Sequence, residues 1–250
     1  MSTTRRVFLR LAATAASAAA AGSVLGCAAG SPRRRLALAL DLRKCLEVKG
    51  CRACIDACHE AHNVPAIPDR PHEVKWIWKE PFDRALSVRE PDTVPAGLRR
   101  SGVPVLCNHC DNPPCVRVCP TRATWRRDDG IVAIDEHRCI GCRYCVAACP
   151  YGSRSFDFVD PRPYVVHPTS DYPTRTKGVV EKCTLCAERV DAGRLPACVE
   201  ACPAGAMVFG DLRDGGSEIR RLLNERYSLR RKLDLGTRPQ VFYVIEPANG

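Results

Sequence analysis

The apolar pattern of the chain comes in short pieces rather than long elements. Leu36-Ala37-Leu38-Ala39-Leu40-Asp41-Leu42 alternates large and small side chains, the period-2 signature of a strand. The segments 131–135 and 178–181 read the same way, and 123–127, the turn Asp128-Asp129-Gly130 and 131–135 form a hairpin pattern. A further strand is predicted over Val74 to Lys79, with Trp76 and Trp78 on one face as core residues, inside a Pro- and Arg-rich stretch. Ala206 to Phe209 and Val241 to Ile245 read as later strands, and Ser217-Glu218-Ile219-Arg220-Arg221-Leu222-Leu223 as a capped helix start. The one long apolar run, Leu11 to Leu25, is too short for a bilayer span of about 20 residues.

Each early strand ends shortly before a cysteine, and cysteine spacing is the strongest signal in the chain. Cys139-x2-Cys142-x2-Cys145-x3-Cys149-Pro150 has the spacing by which bacterial ferredoxins hold 4Fe-4S clusters through thiolates. In two-cluster ferredoxins the last cysteine of such a run ligates the other cluster, so one run predicts a partner run. Cys107-x2-Cys110-x4-Cys115-x3-Cys119-Pro120 precedes it, and Cys183-x2-Cys186-x11-Cys198-x3-Cys202-Pro203 follows it. A fourth variant, Cys45-x5-Cys51-x2-Cys54-x3-Cys58, opens the series, leaving only Cys27 of the 17 cysteines unassigned. Gly141 is expected to let the backbone approach inorganic sulfur closely. Zinc sites normally use two ligand pairs across a longer loop, and disulfide frameworks favour shorter chains, so neither explains the repeated C-x3-C-P. His109 inside the second run is expected to sit beside its site or at the surface, because four cysteines already suffice there.

With 6% aromatics and 20 prolines, the chain has little conventional core. The metal groups are therefore expected to hold distant segments together, and protein stripped of them to be largely unfolded. The fold class is α+β, built from tandem bacterial-ferredoxin-like (βαβ)2 domains with insertions, related by a pseudo-twofold and carrying four 4Fe-4S clusters. Residues 1–32 are expected to form a twin-arginine signal peptide, 33–210 the four-cluster domain with insertions 60–106 and 151–177, and 211–250 a C-terminal extension. The proline-rich insertion 151–177 is expected to be irregular.

Thr4-Arg5-Arg6-Val7-Phe8-Leu9-Arg10 before the apolar run resembles a twin-arginine export signal, which would carry the protein folded to the periplasm. Val24-Leu25-Gly26-Cys27 resembles a lipoprotein processing site. Lipidation at Cys27, simple cleavage near Ala28 or Ala29, and an uncleaved anchor all stay open at this point.

The formal charge is +10. Without Arg5, Arg6 and Arg10 the 38 basic residues become 35 against 28 acidic, an excess of seven. Four oxidised clusters with their thiolates carry about −2 each, so the loaded protein is close to neutral and nucleic-acid binding is not expected. Lys44, Arg138 and Lys182 each precede the first cysteine of a run, whereas Leu106 does so in the second. A cation near a cluster favours its reduced state, so the second-run cluster is expected to differ in potential, unless these cations are exposed and negligible.

Cys107-Asn108-His109-Cys110-Asp111-Asn112-Pro113-Pro114-Cys115 and the stretch from Cys139 to Gly152 resemble the four-cluster ferredoxin-like subunits of membrane and periplasmic oxidoreductases. The stretches Cys51 to Pro65, Pro173 to Cys183, Met207 to Leu212, and Arg230-Arg231-Lys232 with Leu235-Gly236-Thr237 are similar to the periplasmic iron-sulfur subunit of the sulfite-reduction-associated membrane complex, the Dsr or Hme type. The resemblance implies that the first run pairs with the fourth and the second with the third. Cys45, Cys51, Cys54 and Cys202 would hold one cluster, and Cys183, Cys186, Cys198 and Cys58 another. Cys107, Cys110, Cys115 and Cys149 would hold the third, and Cys139, Cys142, Cys145 and Cys119 the fourth. The first run departs from the usual form, with five residues after Cys45 and His59 in place of Pro.

The implied partners are an integral membrane quinone-reactive subunit, a periplasmic multihaem cytochrome c and other subunits of the membrane complex. The implied function is single-electron transfer between the membrane subunit and the cytochrome, with no catalytic site of its own. The alternative is the exported iron-sulfur subunit of a molybdopterin oxidoreductase of the polysulfide, tetrathionate or nitrite reductase type.

Overall fold

The computed structural model describes residues 34–86 and 96–245, so the leader, Cys27 and the terminal residues lie outside the described residues. Strand β1 (Leu36–Asp41) is buried along its whole length. Its alternation separates two packing partners rather than core from solvent. Leu38 and Leu40 enter the main core with Trp76, Ile77, Val105 and Tyr243. Ala37 and Ala39 form a shallow face that receives Ile219 of helix α9 (Glu218–Glu225). The helix starts as expected, with the Ser217 side chain accepting a hydrogen bond from the Arg220 amide at 3.4 Å.

The principal sheet has the order β8-β1-β10-β9, with β8 at Met207–Asp211, β9 at Ser228–Leu229 and β10 at Val241–Val244. β1 pairs antiparallel with β8 and parallel with β10, bringing Leu38 opposite Val241. Residues beyond 210 are therefore built into the centre of the fold. The Asp111 amide donates to Arg238 O at 2.9 Å, Asn112 to Thr237 O at 3.0 Å, and Gln240 to Asn108 O at 2.8 Å, so the same segment clasps the second cysteine run.

Three hairpin-like pairs surround this sheet. β2 (Ile77–Pro81) pairs with β3 (Gly102–Leu106), β4 (Thr124–Arg126) with β5 (Val132–Ile134), and β6 (Ser155–Phe156) with β7 (Val180–Glu181). The predicted 74–79 strand begins only at Ile77, although Trp76 is buried as expected and Trp78 packs partly against the same core. The segment 151–177 is not wholly irregular, because Ser155 and Phe156 pair with Glu181 and Val180 across it. Two residues carry no readable period, and only their distant partner makes them a strand. β3 also adds a fourth strand-before-cysteine unit, since Leu106 leads directly into Cys107.

Short helices follow the cysteines: α1 (Leu42–Glu47), α2 (Ala53–Ala61), α3 (Phe82–Leu86), α4 (Ala96–Arg99), α5 (Pro114–Arg117), α6 (Tyr144–Ala148), α7 (Ala187–Asp191) and α8 (Ala197–Glu200). Most cysteines stand on these helices or on the turns that enter them, and Cys119, Cys149 and Cys202 come just after a helix ends.

Candidate metal centres

Two small cavities are walled by cysteines. One gathers Cys107, Cys110 and Cys115 of the second run with Cys149 of the third. The other gathers Cys139, Cys142 and Cys145 of the third with Cys119 of the second. Local geometry explains how neighbours in sequence face different ways. Cys115 and Cys145 lie on α5 and α6, whereas Cys119 and Cys149 come just after those helices have ended. His109 and Arg143 take the left-handed conformation, with φ of 40° and 61°, and turn the loops so that successive thiols converge. Gly141 also has positive φ, but a side chain there would collide with the Gly178 carbonyl. Its freedom serves a close approach between two backbones.

The remaining eight cysteines form two further groups. Cys54 and Cys58 lie one turn apart on α2 and are buried, and Cys198 is buried on α8. Burial pushes the Cys54 thiol up to about 12, with Cys45, Cys202 and Cys51 adding to the shift. Burial also raises Cys58 well above the ordinary range, followed by Cys183, Cys198 and Cys186. Each of these two thiols thus has cysteines from a distant part of the chain among its electrostatic neighbours. Backbone amides point at several sulfurs, from Leu185 to Cys183, Ala197 to Cys186 and Ala206 to Cys202, each at 3.3 Å.

This donor set suits a polynuclear metal group. Sixteen free cysteines in four groups of four cannot all ionise in buried, mutually repelling positions without a multivalent cation to hold them. Sulfur-only donors around a small cavity are the coordination that iron-sulfur clusters take.

The cations behave differently from the sequence expectation. Lys44 and Arg138 are exposed, whereas Lys182 is fully buried and donates to Cys183 O at 2.9 Å and to Val132 O. Lys182 lies in the electrostatic field of Cys107, Cys183 and Cys115, so the second-run thiols are not poor in positive charge despite Leu106. Arg154, which nothing in the sequence singles out, is also buried beside them.

His109 is buried, and its Nδ1 accepts the Val132 amide at 3.0 Å, which makes it a neutral strut beside the site. Burial first, then Lys182, Arg154 and Arg35, holds its pKa far below the usual range. His62 was equally hidden in the sequence. It is buried against Trp76 and Tyr172, with Nδ1 2.9 Å from Cys58 O and Nε2 3.0 Å from Glu188. Thr237 reaches the Cys110 thiol and the Tyr151 hydroxyl, so the segment beyond residue 210 also supports the site.

A profile described as "4Fe-4S dicluster domain" matches residues 100–212, the stretch containing both cavities. The chain is 41% identical over 232 residues to the Hdr-like menaquinol oxidoreductase iron-sulfur subunit 1 of Archaeoglobus fulgidus, covering 85% of this chain and 84% of that protein. The chain belongs to this 4Fe-4S iron-sulfur subunit family. Other members are 38% identical: a tetrathionate reductase subunit of Salmonella typhimurium, covering 86% of this chain and 74% of that protein, and protein NrfC of Escherichia coli, covering 98% and 96%. These three relatives carry different names, so membership assigns the chain to iron-sulfur subunits without selecting the Dsr or Hme type.

Proposed function

We propose that the chain is a non-catalytic electron-transfer subunit holding four 4Fe-4S clusters, arranged as two ferredoxin-like halves related by a pseudo-twofold. One observation carries this reading: each cavity joins three cysteines of one run to the last cysteine of the other. Cys107, Cys110, Cys115 and Cys149 hold one cluster, and Cys119, Cys139, Cys142 and Cys145 the next. Cys58, Cys183, Cys186 and Cys198 hold the third, and Cys45, Cys51, Cys54 and Cys202 the fourth. When bound, these groups supply centres that each accept and release one electron.

The protein supplies spacing, burial and an outlet. Cys142 is exposed, with the exposed Ile140 and Tyr144 on either side, so that end of the series is accessible to a partner. In our reading the chain is exported folded by the twin-arginine route to the periplasm. There it joins a quinone-reactive membrane subunit and a multihaem cytochrome c in a sulfite-reduction-associated complex. Likeness to a menaquinol oxidoreductase subunit supports the quinone-linked partner. The second reading, service to a molybdopterin reductase, is favoured by the likeness to the tetrathionate reductase subunit.

Purification of the native complex with metal and haem analysis tests both. Haem c and a quinone-reactive membrane protein support the first assignment, and co-purifying molybdenum replaces it with the second. Iron far below one atom for each of the sixteen cysteines overturns the electron-transfer reading itself.

A further inference from the structure

Arg154 follows the third cysteine run by a few residues and is buried to 4% exposure. Its NH2 group donates to Cys115 Sγ at 3.2 Å and to Thr124 Oγ1 at 2.8 Å. Thr124 in turn donates to Ala133 O at 2.7 Å, which fixes the guanidinium from the β4 side. Arg154 lines both cysteine-walled cavities, so the same guanidinium also stands in the electrostatic field of Cys145, a member of the other set. No carboxylate among the described residues forms an ion pair with it, and its NH1 has no hydrogen-bond partner in the protein. A permanently charged side chain in a dry interior without a carboxylate is costly unless negative charge faces it from elsewhere. The negative charge that faces it on both sides is that of the two thiolate sets.

We infer that Arg154 is a shared electrostatic positioning residue for two neighbouring clusters, holding one fixed positive charge between them so that the potentials of both are raised together. The inference rests on the four-cluster reading. The reduced form of each cluster is more negative than the oxidised form, so a fixed cation stabilises the reduced form of both. A planar fork with several donors can address two sulfur sets at once, whereas a single ammonium cannot. The residue donates to a thiol of one set and lines the cavity of the other while belonging to neither set of ligands, which separates its role from that of the cysteines. With one cation serving both neighbours, both potentials shift in the same direction, so the step between the two centres changes less than either potential does.

The test is an EPR-monitored redox titration of the intact, iron-loaded chain with Arg154 replaced. Arg154→Gln is expected to lower two of the four midpoints together, each by about a tenfold change in the reduction equilibrium, or about 59 mV for one electron. The other two midpoints stay in place. Movement of no midpoint, of one alone or of all four equally at full iron content overturns the inference. Should Arg154→Gln fail to retain iron, Arg154→Lys decides the matter. Its single ammonium reaches one cavity wall better than the other, so the same two midpoints diverge; two unmoved midpoints overturn the shared role. Low iron in the unaltered protein is a different failure, that of the four-cluster reading.

Discussion

Asp157 and Glu181 lie together where β6 meets β7, both wholly buried, and neither Asp157 carboxyl oxygen has a hydrogen-bond donor among the described residues. Glu181 Oε2 accepts from Trp76 Nε1 at 2.9 Å and pairs with Arg175 at 2.6 Å. With the one neighbouring cation committed to Glu181, Asp157 keeps a proton. Burial, followed by the charge of Glu181, pushes the Asp157 carboxyl up to about 9.

That retained proton sets a direction for stability against pH. The unfolded chain releases it above the usual carboxylate range while the folded chain keeps it, so stability falls as pH rises from about 4 towards 9. Asp157→Asn is neutral without needing a proton. Its melting temperature is expected to exceed that of the unaltered protein at about pH 8.5 and to match it near pH 4. An equal deficit at both pH values would refute the retained proton.

Arg175 is the counter-charge for this pair, and it also donates to Asn63 O at 2.8 Å and to His62 O. Removing one partner of a fully buried ion pair costs about 3–5 kcal/mol. Arg175→Met should therefore lower the melting temperature by about 10 °C. A shift within about 2 °C, measured by circular dichroism, would refute the stabilising role of the buried pair.

Exchange of the last cysteine between runs makes a pairing prediction. Cys149→Ala should abolish the same EPR signal as Cys107→Ala and spare the one abolished by Cys145→Ala. If Cys149→Ala and Cys145→Ala remove one common signal, ligation stays within the run and the cross-run assignment is wrong.

Removing iron tests how far the metal groups hold the fold. The thiol groups tie α2 to α8 and β3 to the loop after α6. Anaerobic chelation should abolish the cooperative thermal transition. A transition that survives with most of its amplitude would mean that the four-stranded sheet and its leucines are sufficient on their own.

Much of the candidate site was readable in the chain because ligand chemistry is local: thiols on short helices and tight turns must recur at fixed spacing. The hairpin from Thr124 to Ile134 and the Ser217 cap were readable for the same reason. Arg154, Arg175 and His62 were not, since an isolated cation or imidazole acquires its role only from partners dozens of residues away. Ser155-Phe156 was too short to declare itself. The parallel match of Leu38 with Val241 leaves no trace in either segment, because each reads as a strand whatever its neighbour.

β10 lies between β1 and β9, so β1, the first strand among the described residues, waits for residues 241–244 before its second edge is covered. Until then a run of leucine and alanine presents bare amides and carbonyls to anything extended nearby. Maturation is thereby obliged to follow translation rather than accompany it. A ribosome that stalls late releases a chain with every cysteine in place and its central seam unclosed.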